Sequence, residues 1–409
     1  MKKGKLVFRK ICCLLALALF LSPAACAAGE DSFIEFSLAE DIYADGELLS
    51  EKEYEALSEE IGEMLLEIER LLDPEDEDSD VYRINHAAAG VKVDVSDTTY
   101  ELLSLSLELH EETAGAFSPM LYALTELWGF SSTNEGYYTQ PRPEPDEEDI
   151  AAALAAADIG NIVLGEDGTV ARTDSSAEID LGGIAKGYMT DRIRSFMEER
   201  YGEDAEYSVS VMSSLFLSGG KHDGNTVRGY RIGLDNPRSA VTGTANALYM
   251  ADAADCAVST SADNYRFYVY DGKIYPHIIS PETGKPSDNG VISVTVTVPR
   301  DEDFCGARAD AYSTAGFCMP LTEALAFYET LAGERGVCAV VVTADFQYYV
   351  IGEGDISVMS RSEYAAYLGY EGEYTDVFTR GDAATAADEV ENCAEEEEYI
   401  AYIAGLYDE

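Results

Sequence analysis

Three short segments carry residue types that could do chemistry together: DLGGIAKGYMTD at 180–191, HIISPETGKP at 277–286 and DAYST at 310–314. The first leaves an apolar stretch at Leu181 and turns through Gly182 and Gly183, where the lack of a side chain lets backbone approach a ligand closely. A helix expected from about Ile184 then presents its N-terminal amides, with Lys186, to a phosphate. Asp180, beside the turn, is an acceptor suited to a ribose or an adenine edge. Asp310 and Thr314 are four residues apart, so on a helix they share one face and can offer a carboxylate and a hydroxyl to one ion. Oxygen-only ligands favour Mg2+, which completes its shell with phosphate and water. Of only four histidines, His277 alone sits among proline, glycine and apolar residues, where an imidazole can take a hydroxyl proton near neutral pH. The plainer reading of His277 is a ring that caps the turn; a glycine turn before a helix is common, and Asp-x-x-x-Thr by itself is common on helix surfaces. In this order and company the three point to phosphoryl chemistry on a dinucleotide.

These groups need a scaffold. Leu57, Ile61, Leu65, Ile68 and Leu72 recur at three- and four-residue spacing and predict an amphipathic helix over 50–72. Further helices are expected at 97–113, 150–157, 309–317 and 321–331, the 309–317 helix opening with the Asp310/Thr314 pair. Strands are expected at 33–44, 162–164, 177–181, 207–217, 230–234, 247–250, 265–270, 291–298 and 337–343 from their β-branched and aromatic content. The dipeptide Asp271-Gly272 marks a hairpin turn. Helices and strands alternating with hairpins indicate an α+β fold with mixed or antiparallel sheets, not a doubly wound parallel sheet.

Lys2, Lys3, Lys5, Arg9 and Lys10 precede an apolar run at 11–21, the pattern of a signal peptide too short for a permanent span of a bilayer ~30 Å thick. It leads into SPAAC at 22–26, which is similar to a lipoprotein processing box that would place a lipid on Cys26; Ala25-Cys26-Ala27 could equally serve an A-x-A peptidase. Both readings put the mature protein outside the cytoplasm, and the first anchors it to the outer face of the cell membrane. The organisation expected is a leader at 1–26, one body at 27–358 and an acidic tail at 359–409, read as a surface helix or disordered end. A formal net charge of −51 speaks against nucleic acid or an anionic membrane surface as partner, so a phosphate site must be a local exception. Cys256, Cys318 and Cys338 sit in apolar stretches and are read as buried thiols; no CxxC or Cys/His spacing implies zinc. His86, His110 and His222 are read as surface residues.

The chain resembles the ApbE family of FAD:protein FMN transferases. The resemblance runs through SDVYRIN at 79–85, GAFSPML at 115–121, LWGF at 127–130, DLGGIAKGYMTD, STSADNYRFY at 259–268, DGKIYPHIISPETGKP at 271–286 and ADAYSTAGF at 309–317. It implies a two-lobed, T-fold-like α+β architecture and Mg2+-dependent transfer of FMN from FAD to a threonine of an exported or membrane-bound redox protein, with release of AMP. It implies metal ligands at Asp310, Thr314 and the main-chain oxygen of Gly183, and FAD contacts from Ala116, Phe117, Ser118, Asp180, Lys186, His277 and Ile278, with His277 deprotonating the acceptor. Ser118, Ser213-Ser214, Ala262 and Ser280 depart from the family pattern. Ser280 can still cap its turn by its hydroxyl, whereas the serine pair is expected to narrow or reshape the flavin pocket. Two rival readings are kept: an FAD pyrophosphatase that releases FMN and AMP without an acceptor, and a noncatalytic flavin-binding lipoprotein.

Overall fold

The computed structural model describes residues 26–27, 34–39, 41–131, 140–223, 226–354, 356–372 and 374–407. The leader expected at 1–26 lies outside the described residues except for the backbone at Cys26. Among the described residues, a nine-stranded sheet organises the body, in the order Cys26–Ala27, Glu35–Leu38, Tyr207–Val211, Ser214–Ser218, Cys256–Ala262, Val291–Pro299, Cys338–Thr343, Gln347–Ile351 and Thr379–Arg380. Neighbours are antiparallel throughout except at the last pair, which is parallel. This is the α+β arrangement expected from the sequence.

The central strand VISVTVTVP is buried almost end to end because both faces of the sheet are covered. Side chains alternate across a strand, so Val294, Val296 and Val298 enter the core beneath the helices. On the opposite face Val258, Val340 and Val342 meet a second core, closed by a three-stranded sheet of Tyr230–Asp235, Asn246–Ala253 and Ser357–Ser360. The amphipathic helix forms as Glu51–Leu72, started by Ser50, which accepts from Glu53 N while the Glu53 carboxylate reaches back to Ser50 N.

One helix, Cys305–Cys318, lies in the middle of the molecule with nearly every residue buried. It has no N-cap side chain of its own, and Phe304 before it adopts the left-handed conformation at φ 52°. Its first amides are satisfied from outside: Asp191, on the helix Ala185–Tyr201, accepts from Gly306 N and Ala307 N at 2.8 Å each. Burial pushes the Asp191 carboxyl up to about 6, and these amide bonds oppose the shift.

The two helices can meet this closely only because glycines sit at the crossing. A Cβ on Gly187 would lie 2.0 Å from the Gly306 carbonyl oxygen, and one on Gly306 would lie 2.3 Å from that of Gly187. Backbone cannot yield as a flexible side chain does. Gly187→Ala is therefore expected to lower stability by at least about 3 kcal/mol, the upper range for overpacking a tight core, read as a fall in the urea midpoint at unchanged m-value.

Several expected elements differ. Residues 177–181 form no strand; instead Asn85 brackets Ile179, its Oδ1 accepting from Ile179 N at 2.8 Å and its Nδ2 donating to Ile179 O at 3.0 Å. A side-chain amide thus replaces a ladder partner. The single strand expected at 207–217 is a hairpin that turns at Met212, φ 51°, and that expected at 33–44 is broken into Glu35–Leu38 and Tyr43–Ala44. The Asp310/Thr314 pair does not open its helix but sits inside it, because Asp191 supplies the start earlier. Finally, 359–409 is not a loose tail: the boundary at 358 falls within the strand Ser357–Ser360, and the helix Ala394–Leu406 buries Glu396 and Tyr399 against the body.

Candidate active site

The glycine turn is held from below before it reaches the site. Asn85 grips Ile179 as described, Asp180 N donates to Pro119 O at 2.8 Å, and both Asp180 carboxylate oxygens are engaged. Oδ1 accepts from Gly182 N at 2.8 Å and Oδ2 from the Thr125 hydroxyl at 2.9 Å. The chain then passes Gly183 and enters the Ala185–Tyr201 helix.

Lys186, one turn in, does not extend into solvent. Its ammonium donates to Gly182 O at 2.8 Å and lies 3.2 Å from Asp310 Oδ2. Asp310 is 1% exposed and held at both oxygens: Oδ2 also accepts from Gly187 N at 3.0 Å, and Oδ1 accepts from the Ser259 hydroxyl at 3.1 Å, which leaves Oδ1 a second lone pair. Since Ser259 spends its proton on Asp310, the 2.9 Å contact between Ser214 and Ser259 hydroxyls runs with Ser214 as donor. The substituted serine pair therefore turns one hydroxyl inward to support the carboxylate.

A parallel relay serves Thr314. The Ser313 hydroxyl donates to Asp310 O at 2.9 Å, so in its 2.9 Å contact with Ser261 it accepts. Ser261 thus receives the Thr314 proton at 3.3 Å, or Gly183 O receives it at 3.5 Å. Either way the lone pairs of Thr314 Oγ1 remain available for a ligand. Asp310 and Thr314 thus lie one turn apart on their helix, with the Gly183 carbonyl 3.5 Å from Thr314 Oγ1.

The turn at 116–118 closes one side. Ala114 and Gly115 both take positive φ, 51° and 89°, and drive Phe117 back until its ring lies 3.4 Å from where a Gly183 Cβ would be. Ala116 is half-buried, Phe117 is buried, and Ser118 is buried with its hydroxyl accepting from Met120 N. His110 is no idle surface residue: its Nδ1 meets Phe117 O at 2.8 Å and pins this turn.

His277 extends the hairpin of Phe267–Tyr270 and Lys273–Pro276 by one residue, its amide donating to Arg266 O at 2.9 Å. Its Nδ1 lies 3.1 Å from the same carbonyl. A carbonyl can only accept, so Nδ1 carries the hydrogen and Nε2 is left with its lone pair. Burial, then the positive charges of Arg266 and Lys186, hold the imidazole well below its ordinary value, so it is neutral at pH 7. The loop after it is clamped by Trp128, whose indole donates to Gly284 O at 2.8 Å, and by Ser280, which accepts from Glu282 N. Ser280 therefore caps as expected, while buried Ile278 packs into the main core.

Ser214, Ser259, Ser261, Gly187 and Arg266 were not singled out as site residues from the sequence. Ser259 and Ser261 are two apart in a strand, hence on one face, and that spacing was the available signal. Ser214 and Gly187 act through neighbours that only folding supplies.

The α+β body is shared with solved structures of the ApbE flavin transferases. It superposes on the crystal structure of the ApbE protein of Thermotoga maritima with a TM-score of 0.62 at 28% identity, covering 83% of this chain and 100% of that one. The flavinyl transferase ApbE of Pseudomonas stutzeri gives 0.60 at 25% identity, covering 83% and 93%. The sequence profile of the ApbE family matches residues 33–339, and the chain belongs to that family. A relative named FAD:protein FMN transferase from Treponema pallidum is 31% identical over 292 residues, 69% of this chain and 76% of that protein. One of the same name from Vibrio cholerae is 28% identical over 289 residues, 71% and 80%.

Proposed function

We propose that this chain is an exported, Mg2+-dependent FAD:protein FMN transferase that moves FMN from FAD to a threonine hydroxyl of a redox protein in membrane or extracellular electron transfer, releasing AMP. The observation that carries this reading is the convergence of Asp310, Thr314, Gly183 O and Lys186 on the start of the Ala185–Tyr201 helix. The name borne by its relatives supports it.

The donor set suits Mg2+: one carboxylate, one hydroxyl and one carbonyl, all hard oxygens. With so few protein ligands, an ion here would take much of its shell from phosphate and water. Bound there, it would neutralise the pyrophosphate as charge develops on departing AMP. Lys186 supplies the chain's own positive charge beside the same phosphates. Asp180, the 116–118 turn and Ile278 contact the FAD. His277 Nε2 takes the proton of the acceptor hydroxyl, whose oxygen bonds to the FMN phosphorus while the bond from that phosphorus to the bridging oxygen breaks, and AMP leaves with that oxygen.

Ser261→Ala removes the hydroxyl that orients Thr314. Losing a group that holds a metal ligand in place weakens metal binding about 10-fold or more, so the Mg2+ dissociation constant, measured by titration calorimetry, is expected to rise by that factor.

Among the described residues no helix is long and apolar enough to cross a membrane; a lipid on Cys26 would hold the enzyme at the outer face of the cell membrane. The test of function is to incubate the protein from residue 27 onward with FAD and Mg2+, with and without a threonine-bearing acceptor domain, following AMP and protein-bound flavin together. AMP appearing only with acceptor, together with flavin on the acceptor, is the expected result. AMP without acceptor would replace the transferase by a pyrophosphatase, and FAD binding with no AMP would leave a flavin-binding protein.

A further inference from the structure

The helix Ala394–Leu406 lies beyond the residues matched by the family profile, 33–339. It is nevertheless built into the body through a buried ionic junction. Arg238, 0% exposed, donates from Nη1 and Nη2 to the two Asp263 carboxylate oxygens at 2.7 Å each, and from Nη2 to Glu396 Oε1 at 2.7 Å. Its Nε bonds the other Glu396 oxygen, and its guanidinium lies 4.4 Å from the centre of the Tyr399 ring. Asp263 is where this matters. It directly follows the strand Cys256–Ala262, which carries Ser259 and Ser261, and it precedes Arg266 and the hairpin that ends at His277.

The same helix touches the hairpin at two more points. Tyr399 packs on Phe267 with ring centres 6.2 Å apart, and the Tyr407 hydroxyl, just past the helix, accepts from Val269 N at 3.1 Å. Phe267 stands opposite Pro276 in the ladder, one pair from the Arg266 carbonyl that fixes the His277 ring.

Resting on the transferase reading above, we infer that the C-terminal helix is a positioning element for catalysis: through Glu396, Tyr399 and Tyr407 it fixes the hairpin that aims His277 relative to the strand supporting Asp310 and Thr314. An isolated two-stranded hairpin is marginally stable in water, and a base displaced by about 1 Å can cost about 100-fold in rate. Tyr268 and Tyr275 pack one face of this hairpin against Trp128 and Phe130, and the helix, locked by a buried charge junction, holds it at Phe267 and Val269. None of its residues touches the reacting atoms. The groups facing His277 are Arg266 beside the hairpin, Lys186 on the glycine-turn helix and the Phe130 ring, and the helix reaches Arg266 and Phe130 through the hairpin it holds.

Two full-length variants test this. Glu396→Gln withdraws a charge from Arg238, and Tyr407→Phe removes only the bond to Val269 N and leaves the buried junction intact. In folded Glu396→Gln, kcat for FMN transfer is expected to fall about 10- to 100-fold with KM for FAD changed less than about twofold; Tyr407→Phe should shift both in the same direction by less. The His277 ring, followed by 15N NMR across pH, should lose its fixed Nδ1–H tautomer and titrate closer to the ordinary value of about 6.5. Unchanged kcat and an unchanged His277 titration in both folded variants would overturn the inference, as would a loss confined to KM. The NMR titration does not depend on turnover, so a wild-type protein that transfers no flavin would sink the transferase reading while the positioning of His277 is still decided.

Discussion

Asp310→Ala is expected to abolish Mg2+-dependent transfer, lowering kcat by at least about 10³-fold. A metal supplies several kcal/mol of charge stabilisation in such a step, and about 1.4 kcal/mol is worth tenfold. The carboxylate also holds the site in shape. It is buried and binds Lys186, Gly187 N and Ser259 at once, so truncation leaves a lysine and an amide without their partner. Asp310→Asn separates the two roles, because the amide oxygen can still accept from Gly187 N while the charge is gone. If activity at saturating Mg2+ survives in Asp310→Ala, the metal assignment fails. If Asp310→Asn folds like the wild type yet shows no Mg2+ binding by calorimetry, the charge itself is what the ion requires.

His277→Ala carries the second largest effect: a fall in kcat of about 10²–10⁴-fold, the range for losing a positioned general base, with FAD binding nearly intact. Equal losses in kcat and FAD affinity would make His277 structural. The pH dependence follows from the direction of its shift. Its folded pKa is held below the ordinary value by burial, Arg266 and Lys186, so the neutral, proton-accepting form persists as pH falls through about 6.5. The acid limb of the rate profile is therefore expected below that pH, not at it. The sign for stability is the same. The unfolded chain binds the proton more readily than the native one, so this residue's contribution is complete above about 6.5 and declines as pH drops below it. A rate limb centred at or above 6.5 would mean that His277 is not the base.

Much of the site was legible because its chemistry is local in sequence. Gly182, Gly183 and Lys186 lie within one turn and helix start, Asp310 and Thr314 within one helical repeat, and His277 at the head of a proline- and glycine-rich loop. The supports were less visible. Residues 177–181 read as a strand by composition, yet at their centre Ile179 pairs with the Asn85 side chain, nearly a hundred positions earlier. The site helix begins well before its Asp/Thr pair because Asp191, a residue on another helix, satisfies its first amides. The acidic C-terminal region read as a tail because its glutamates look solvated, and nothing local shows that Glu396 meets Arg238 in the interior.

The sequence by itself determined the α+β class, the donor types and the order in which they occur, since periodicity, turn residues and motif spacing act over a few positions. Only the tertiary structure decided what each donor faces. Gly187 and Gly306 let two helices close until Asp310 reaches an amide and an ammonium, the serines of Cys256–Ala262 line up beneath it, and the C-terminal helix backs the His277 hairpin. Those pairings join residues 51 to 138 positions apart. Their energy depends on burial and on distances of about 3 Å, which no short-range pattern encodes.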